Sequence, residues 1–128
     1  MSFVRFTGVS DPGYMVWLTQ MPRSLLRGCF TCAVGPTIGG GVPFNVPGTL
    51  VDPKLELYDA GGSKIRENDT WDNSLSAVFV SVGAFPFAPN SKDAALVVTL
   101  NAGNGYSVQV KGADGGTGEA LVEIYELP

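Results

Sequence analysis

The chain contains no histidine. That absence excludes Ser-His-Asp and Cys-His nucleophilic catalysis, His-ligated zinc and haem held by a histidine. Two cysteines cannot build a four-cysteine metal site within one chain. Charge is scarce as well. Charged residues make up 16% of 128, eight basic against twelve acidic, for a net charge of −4. The basic residues Arg5, Arg23, Arg27, Lys54, Lys64, Arg66, Lys92 and Lys111 are scattered. Phosphate binding needs a basic stripe, so nucleic acid is not an expected partner. No apolar run reaches the roughly 18 residues of a membrane-spanning helix, so membrane insertion is not expected either. The first twenty residues are broken by Arg5, Asp11, Pro12 and Gly13 and do not read as a signal peptide. On that ground alone the chain is cytoplasmic, already processed, or a stand-alone copy or fragment of an exported module.

What is present points to a folded β protein. Apolar residues make up 45%, too many for a disordered tail. Glycine (17) and proline (9) cut the chain into short pieces. Residues 2–7 alternate apolar and polar, and residues 14–19 (YMVWLT) are aromatic and β-branched, which reads as a buried strand with Tyr14 and Trp17 in the core. Residues 24–34 read as another strand. Residues 35–53 hold five glycines and four prolines, and are expected to form a long connection with neither helix nor a central strand. Lys54-Leu55-Glu56-Leu57-Tyr58 alternates, Asp59-Ala60-Gly61-Gly62 turns, and Ser63 to Arg66 returns, which is a β-hairpin. Residues 94–100, 105–111 and 119–126 are three further strands with glycine-rich turns between them.

One segment carries a helical stripe. Leu75, Val78, Phe79 and Val82 fall at i, i+3, i+4 and i+7, with Asp72 to Ser74 as caps and Gly83 as a stop. The spacing predicts a short helix near 74–82. The whole chain then reads as a single all-β domain, 1–128: an antiparallel β-sandwich, jelly-roll-like, with about eight strands.

Cys29-Phe30-Thr31-Cys32 is a C-x-x-C. On an extended strand its Cα atoms lie about 10 Å apart, and a disulfide needs less than about 7 Å. The pair is therefore two free thiols, a disulfide across a turn, or a redox pair in a strand-then-helix context that the flanks do not supply.

The most chemical stretch is an Asp/Asn-rich loop. Asp59, Glu67, Asp69 and Asp72 are hard oxygen donors of the kind Ca²⁺ prefers. The stretch is not an EF-hand loop, lacking its glycine and its twelfth-position glutamate. Asx-turns and a helix cap are the more common use of the same residues. Trp71, with Asn68 and Asp69 beside it, is a candidate sugar platform, though a single Trp at a loop-strand junction more often plugs the edge of a core. Phe85-Pro86-Phe87 is either a corner filler or an exposed sticky patch. Gly112 to Gly118 leads into a strand, not a helix, so it reads as a turn and not a phosphate loop. For hydrolysis, Asp52, Glu56, Asp69 and Asp72 are available, but Glu56 sits on a solvent-type alternation and nothing fixes an acid/base pair. Ser63-Lys64 and Ser91-Lys92 are strand neighbours that point to opposite faces.

From residue 33 onward the chain resembles a known module. The pieces that carry the likeness are AVGPTI (33–38), GTLVDPKLELYDAGGSKIRENDTW (48–71), VGAFPF (82–87), SKDAALVVTL (91–100) and GYSVQVKGADGGTGEALVEIYEL (105–127). They resemble a C-terminal β-sandwich module of large secreted and surface proteins of environmental bacteria, and more loosely are similar to bacterial pre-peptidase C-terminal domains. The resemblance implies an extracellular or cell-surface place and a non-catalytic role in binding or adhesion, with a glycan or a surface protein as partner. The expected function is such a module, calcium-stabilised if the acidic loop binds metal, and not an enzyme. The rival expectation is a self-assembling subunit of a surface layer, fibre or virion, a homo-oligomer in which the apolar strands at 2–7 and 14–19 pair with a neighbour's edge. A hydrolase is disfavoured.

Overall fold

The computed structural model describes residues 2–9, 14–18, 26–39, 46–88, 90–101 and 105–126, with strand pairing but not side chains for residues 2–7, 14–18, 26–28, 101 and 126. Eight strands form: β1 (Ser2–Val9), β2 (Tyr14–Leu18), β3 (Leu26–Val34), β4 (Pro53–Tyr58), β5 (Lys64–Asn68), β6 (Ala94–Asn101), β7 (Tyr106–Gly112) and β8 (Gly118–Glu126). Sheet A runs β1-β8-β3-β6 and sheet B runs β2-β7-β4-β5. Every pairing of these strands is antiparallel. This is the two-Greek-key connectivity of a jelly roll. The all-β sandwich expected from the turn spacing is the fold.

Alternation builds the core between the sheets. Leu55 and Leu57 on β4 and Val108 and Val110 on β7 turn inward from sheet B. Ala33, Val122, Ile124, Leu96 and Val98 meet them from sheet A. The central strands of sheet A are buried on both faces, which is why β3 and β8 read as near-continuous apolar runs. The outer face of sheet A carries Phe30, Cys32, Val34 and Leu121. A second apolar cluster covers it, contributed by Ile38, Trp71, Phe79 and Phe87.

The covering layer includes the helix expected near 74–82. A 3-10 turn at Asn73–Leu75 runs into α2 (Ser76–Val82). Asp72 caps the start, its side chain accepting from Ser74 N–H at 2.9 Å. Gly83 ends it in the left-handed region at φ 75°, which a side chain would resist. Phe79 is buried from the predicted stripe, and Leu75, Val78 and Val82 pack beside it.

The connection at 35–53 is not free of helix. α1 (Pro36–Gly39) is a single turn. Proline blocks helix interiors, but at the first helical position its missing N–H is no loss and its fixed φ suits the turn. Ile38 from α1 is fully buried in the covering layer. The expectation that Tyr14 and Trp17 lie in the core concerns side chains outside the described residues.

Candidate functional site

The two outer faces differ. That of sheet A lies under α1, α2 and the loops around them. That of sheet B carries polar side chains from alternating positions of β4 and β7. Register sets Glu56 opposite Gln109 on β7 and Glu67 on β5, and Tyr58 opposite Ser107 and Lys64.

Glu56 is the centre of this face. It is 3% exposed, because lysine arms close over it. Lys111 Nζ contacts Glu56 Oε1, Lys64 Nζ lies 3.1 Å from Oε2, and Lys54 Nζ lies 3.7 Å away. Tyr58 donates its hydroxyl to Glu56 Oε1 at 3.0 Å. Glu67 holds both Lys54 and Lys64 at 3.0 Å. Burial alone would raise the Glu56 carboxyl, but the bonds from Lys111, Lys64 and Tyr58 outweigh it and hold the group at about 2. Sequence alternation places Glu56 on the solvent side correctly. It does not reveal that three lysines and a tyrosine would shield it.

An acid with a lowered pKa stabilises the fold above its unfolded value and loses that contribution as pH falls. For Glu56 the loss runs from 4.5 down to about 2. The paired lysines are about a third exposed or more, so solvent screening reduces the contribution to about 2 kcal/mol. Urea unfolding at a series of pH values will therefore show stability falling across this window, and Glu56→Gln will flatten that fall. An unchanged pH profile in the variant would place the acid sensitivity elsewhere.

Beside this network lies a cleft of about 420 Å³, lined by Tyr58, Ser107, Gln109 and the turn at residues 59–62. The turn is rigidly made. Asp59 Oδ1 accepts from Gly61 N–H at 3.0 Å and Ser63 N–H at 2.9 Å, and Gly62 sits at φ 84°. The cleft thus joins an aromatic ring, a hydroxyl, an amide and a carboxylate on a fixed frame.

The residues singled out from sequence are spread over several tasks. Trp71 is 8% exposed, its ring centroid 5.4 Å from those of Phe79 and Phe87. The indole is a plug under the covering layer and has no open face for a sugar. Its Nε1 meets no partner among the described residues. Asn68 is a tie between the sheets: its Oδ1 accepts from Ala95 N–H of β6 at 3.1 Å and its Nδ2 donates to Thr70 C=O at 2.9 Å. Phe87 is buried and Phe85 half-buried, so the Phe-Pro-Phe run fills a corner.

The four acids named for calcium do not converge. Asp59 holds its turn through Oδ1, Glu67 holds two lysines and Asp72 caps a helix start. Asp59 and Asp69 lie beyond opposite ends of β5, about 17 Å of strand apart. Among the described residues no three acidic or cysteine side chains gather as metal ligands.

Two buried acids, Asp93 just before β6 and Glu123 on β8, were not legible as special. Asp93 is fully buried and accepts from Gly35 N–H at 2.8 Å, Thr37 N–H at 3.3 Å, Ser91 Oγ at 2.6 Å and the Thr37 hydroxyl. Glu123 accepts from Cys32 Sγ at 3.2 Å and Tyr125 hydroxyl at 3.1 Å. Burial first, then the Glu123 charge, push the Cys32 thiol well up and Tyr125 to about 12. Neither cysteine is in a disulfide; both are buried, on opposite faces of β3, Cys29 inward and Cys32 outward. A thiol so placed is a poor nucleophile.

No described helix is long and apolar enough to cross a membrane. No protein-family model and no curated protein matches the chain.

Proposed function

We propose that the chain is a non-catalytic binding module that takes a glycan on the outer face of sheet B, at the cell surface or outside the cell. The observation that carries this reading is the cleft beside Glu56. It sits on the sheet face that the covering layer leaves open, and its lining offers a ring for stacking with hydroxyl, amide and carboxylate partners for sugar hydroxyls. Jelly rolls serve lectins and virus capsids alike, so connectivity by itself names neither. The hydrolase reading finds little support here, since Glu56 is held as a carboxylate at about 2 and has no proton to donate at neutral pH. A second reading, a structural subunit of a surface layer, fibre or virion, draws on the uncharged edge of β6.

A glycan array tests the first reading. The wild-type chain is expected to retain a subset of glycans, and Tyr58→Ala to bind them about five- to thirtyfold more weakly while keeping its cooperative unfolding, as removal of a stacking ring costs about 1–2 kcal/mol. A silent array, or equal retention by the variant, would overturn it.

A further inference from the structure

The two strand edges on one side of the sandwich are treated differently. β5 is the edge of sheet B and is guarded. It reads KIREN, its residues are mostly exposed, and its pairing with β4 breaks register between Leu57 and Tyr58. Arg66 pairs with Leu57 and Lys64 with Tyr58, which leaves Ile65 as the bulged residue. Charge and a bulge are the devices that stop an edge from pairing with another chain.

β6 is the edge of sheet A and has neither device. Ala94–Asn101 reads AALVVTLN, without charge, proline or a register break. The direction of its backbone groups follows from two bonds. Ala95 N–H is accepted by Asn68 Oδ1, and Asp93 C=O accepts from Trp71 N–H, both from the side away from β3. Alternate residues of an antiparallel strand point the same way, so Val97 and Thr99 also aim their N–H and C=O groups outward. These groups meet no partner among the described residues. Thr99 is exposed and Val97 half-buried, so the edge is reachable.

We propose that this edge is a pairing surface for a second copy of the chain, β6 against β6, antiparallel about a twofold axis at Val98. The arrangement is self-complementary. Val97 of one copy faces Thr99 of the other, each such pair exchanges both its bonds, and about four backbone hydrogen bonds form. The strand carries no charge to meet its own likeness across the axis. Sheet A becomes continuous through both copies, and the inward Leu96 and Val98, at the margin of the core, extend into one apolar layer. Asn68 and Trp71 close the Ala95 end of the strand, which confines the pairing to its second half. An interface this short lies below the area of a permanent dimer, so the association is weak and reversible, in the micromolar range or above. The pairing does not depend on the glycan site.

Sedimentation velocity over a wide concentration range tests it, together with hydrogen exchange at the same concentrations. The wild-type chain is expected to pass from monomer to dimer, with the Val97 and Thr99 amides gaining protection as it does. Thr99→Lys sets like charges across the axis and is expected to weaken the dimer about tenfold or more. Thr99→Pro removes an outward N–H without touching the β3 ladder and provides a second check should the lysine disturb folding. A chain that stays monomeric throughout, or a dimer that survives both variants unchanged, would overturn the proposal.

Discussion

Phe79→Ala will lower stability by about 4 kcal/mol, the middle of the range for a buried aromatic. Phe79 sits at the junction of the covering layer and sheet A. Its ring centroid lies 4.9 Å from Phe30, 4.6 Å from Phe87 and 5.4 Å from Trp71. Truncation leaves a cavity that three rings border and cannot readily close. It also removes the anchor of α2, a helix of 7 residues. A helix that short is marginal in water and depends on its packed face. Urea unfolding will report the loss as a lower midpoint. A thiol reagent will report it a second way, since loosening the layer exposes Cys32, which now lies buried beneath it. A cost below about 1 kcal/mol, with Cys32 still unreactive, would mean that the layer does not rely on this ring.

Asp93→Ala will cost about 3 kcal/mol, for a different reason. The Asp93 carboxylate is the sole fixed partner seen for Gly35 N–H at the start of α1, and it also binds Thr37 and Ser91. Removing it leaves a buried N–H without an acceptor, which carries the full desolvation penalty. The same change frees α1 from β6. Asp93→Asn keeps one acceptor oxygen and is expected to recover part of the loss. Equal stability of Asp93→Ala and the wild type would show that water satisfies these groups instead.

The strands and the helix could be read from the sequence because their signals are local. Leu55 and Leu57 alternate with polar residues, Asp59 to Gly62 make a turn whichever fold surrounds them, and Gly83 stops a helix wherever a left-handed residue is needed. The covering layer was harder to read. Its stripe on α2 is visible, but nothing local says that it packs on the outside of sheet A. The hint lies in β3, where Phe30, Cys32 and Val34 are as apolar as the residues between them, the pattern of a strand buried on both sides. Trp71 was legible as a core plug, but its partners Phe79 and Phe87 are brought to it only by the fold. α1 was missed because its proline was weighed as a breaker when it is a starter. At the candidate site, Tyr58 and Glu56 were visible as an alternation, while Ser107 and Gln109 joined them only through the β4–β7 register.

The claim on which the functional account rests is that sheet B presents the working face and sheet A does not. Chemical-shift mapping of the ¹⁵N-labelled chain, titrated with a glycan retained on the array, tests it most directly. The shifts are expected to cluster at Tyr58, residues 59–62, Ser107 and Gln109. Shifts centred on Asn68, Asp69 and Trp71, or on α2, would contradict it.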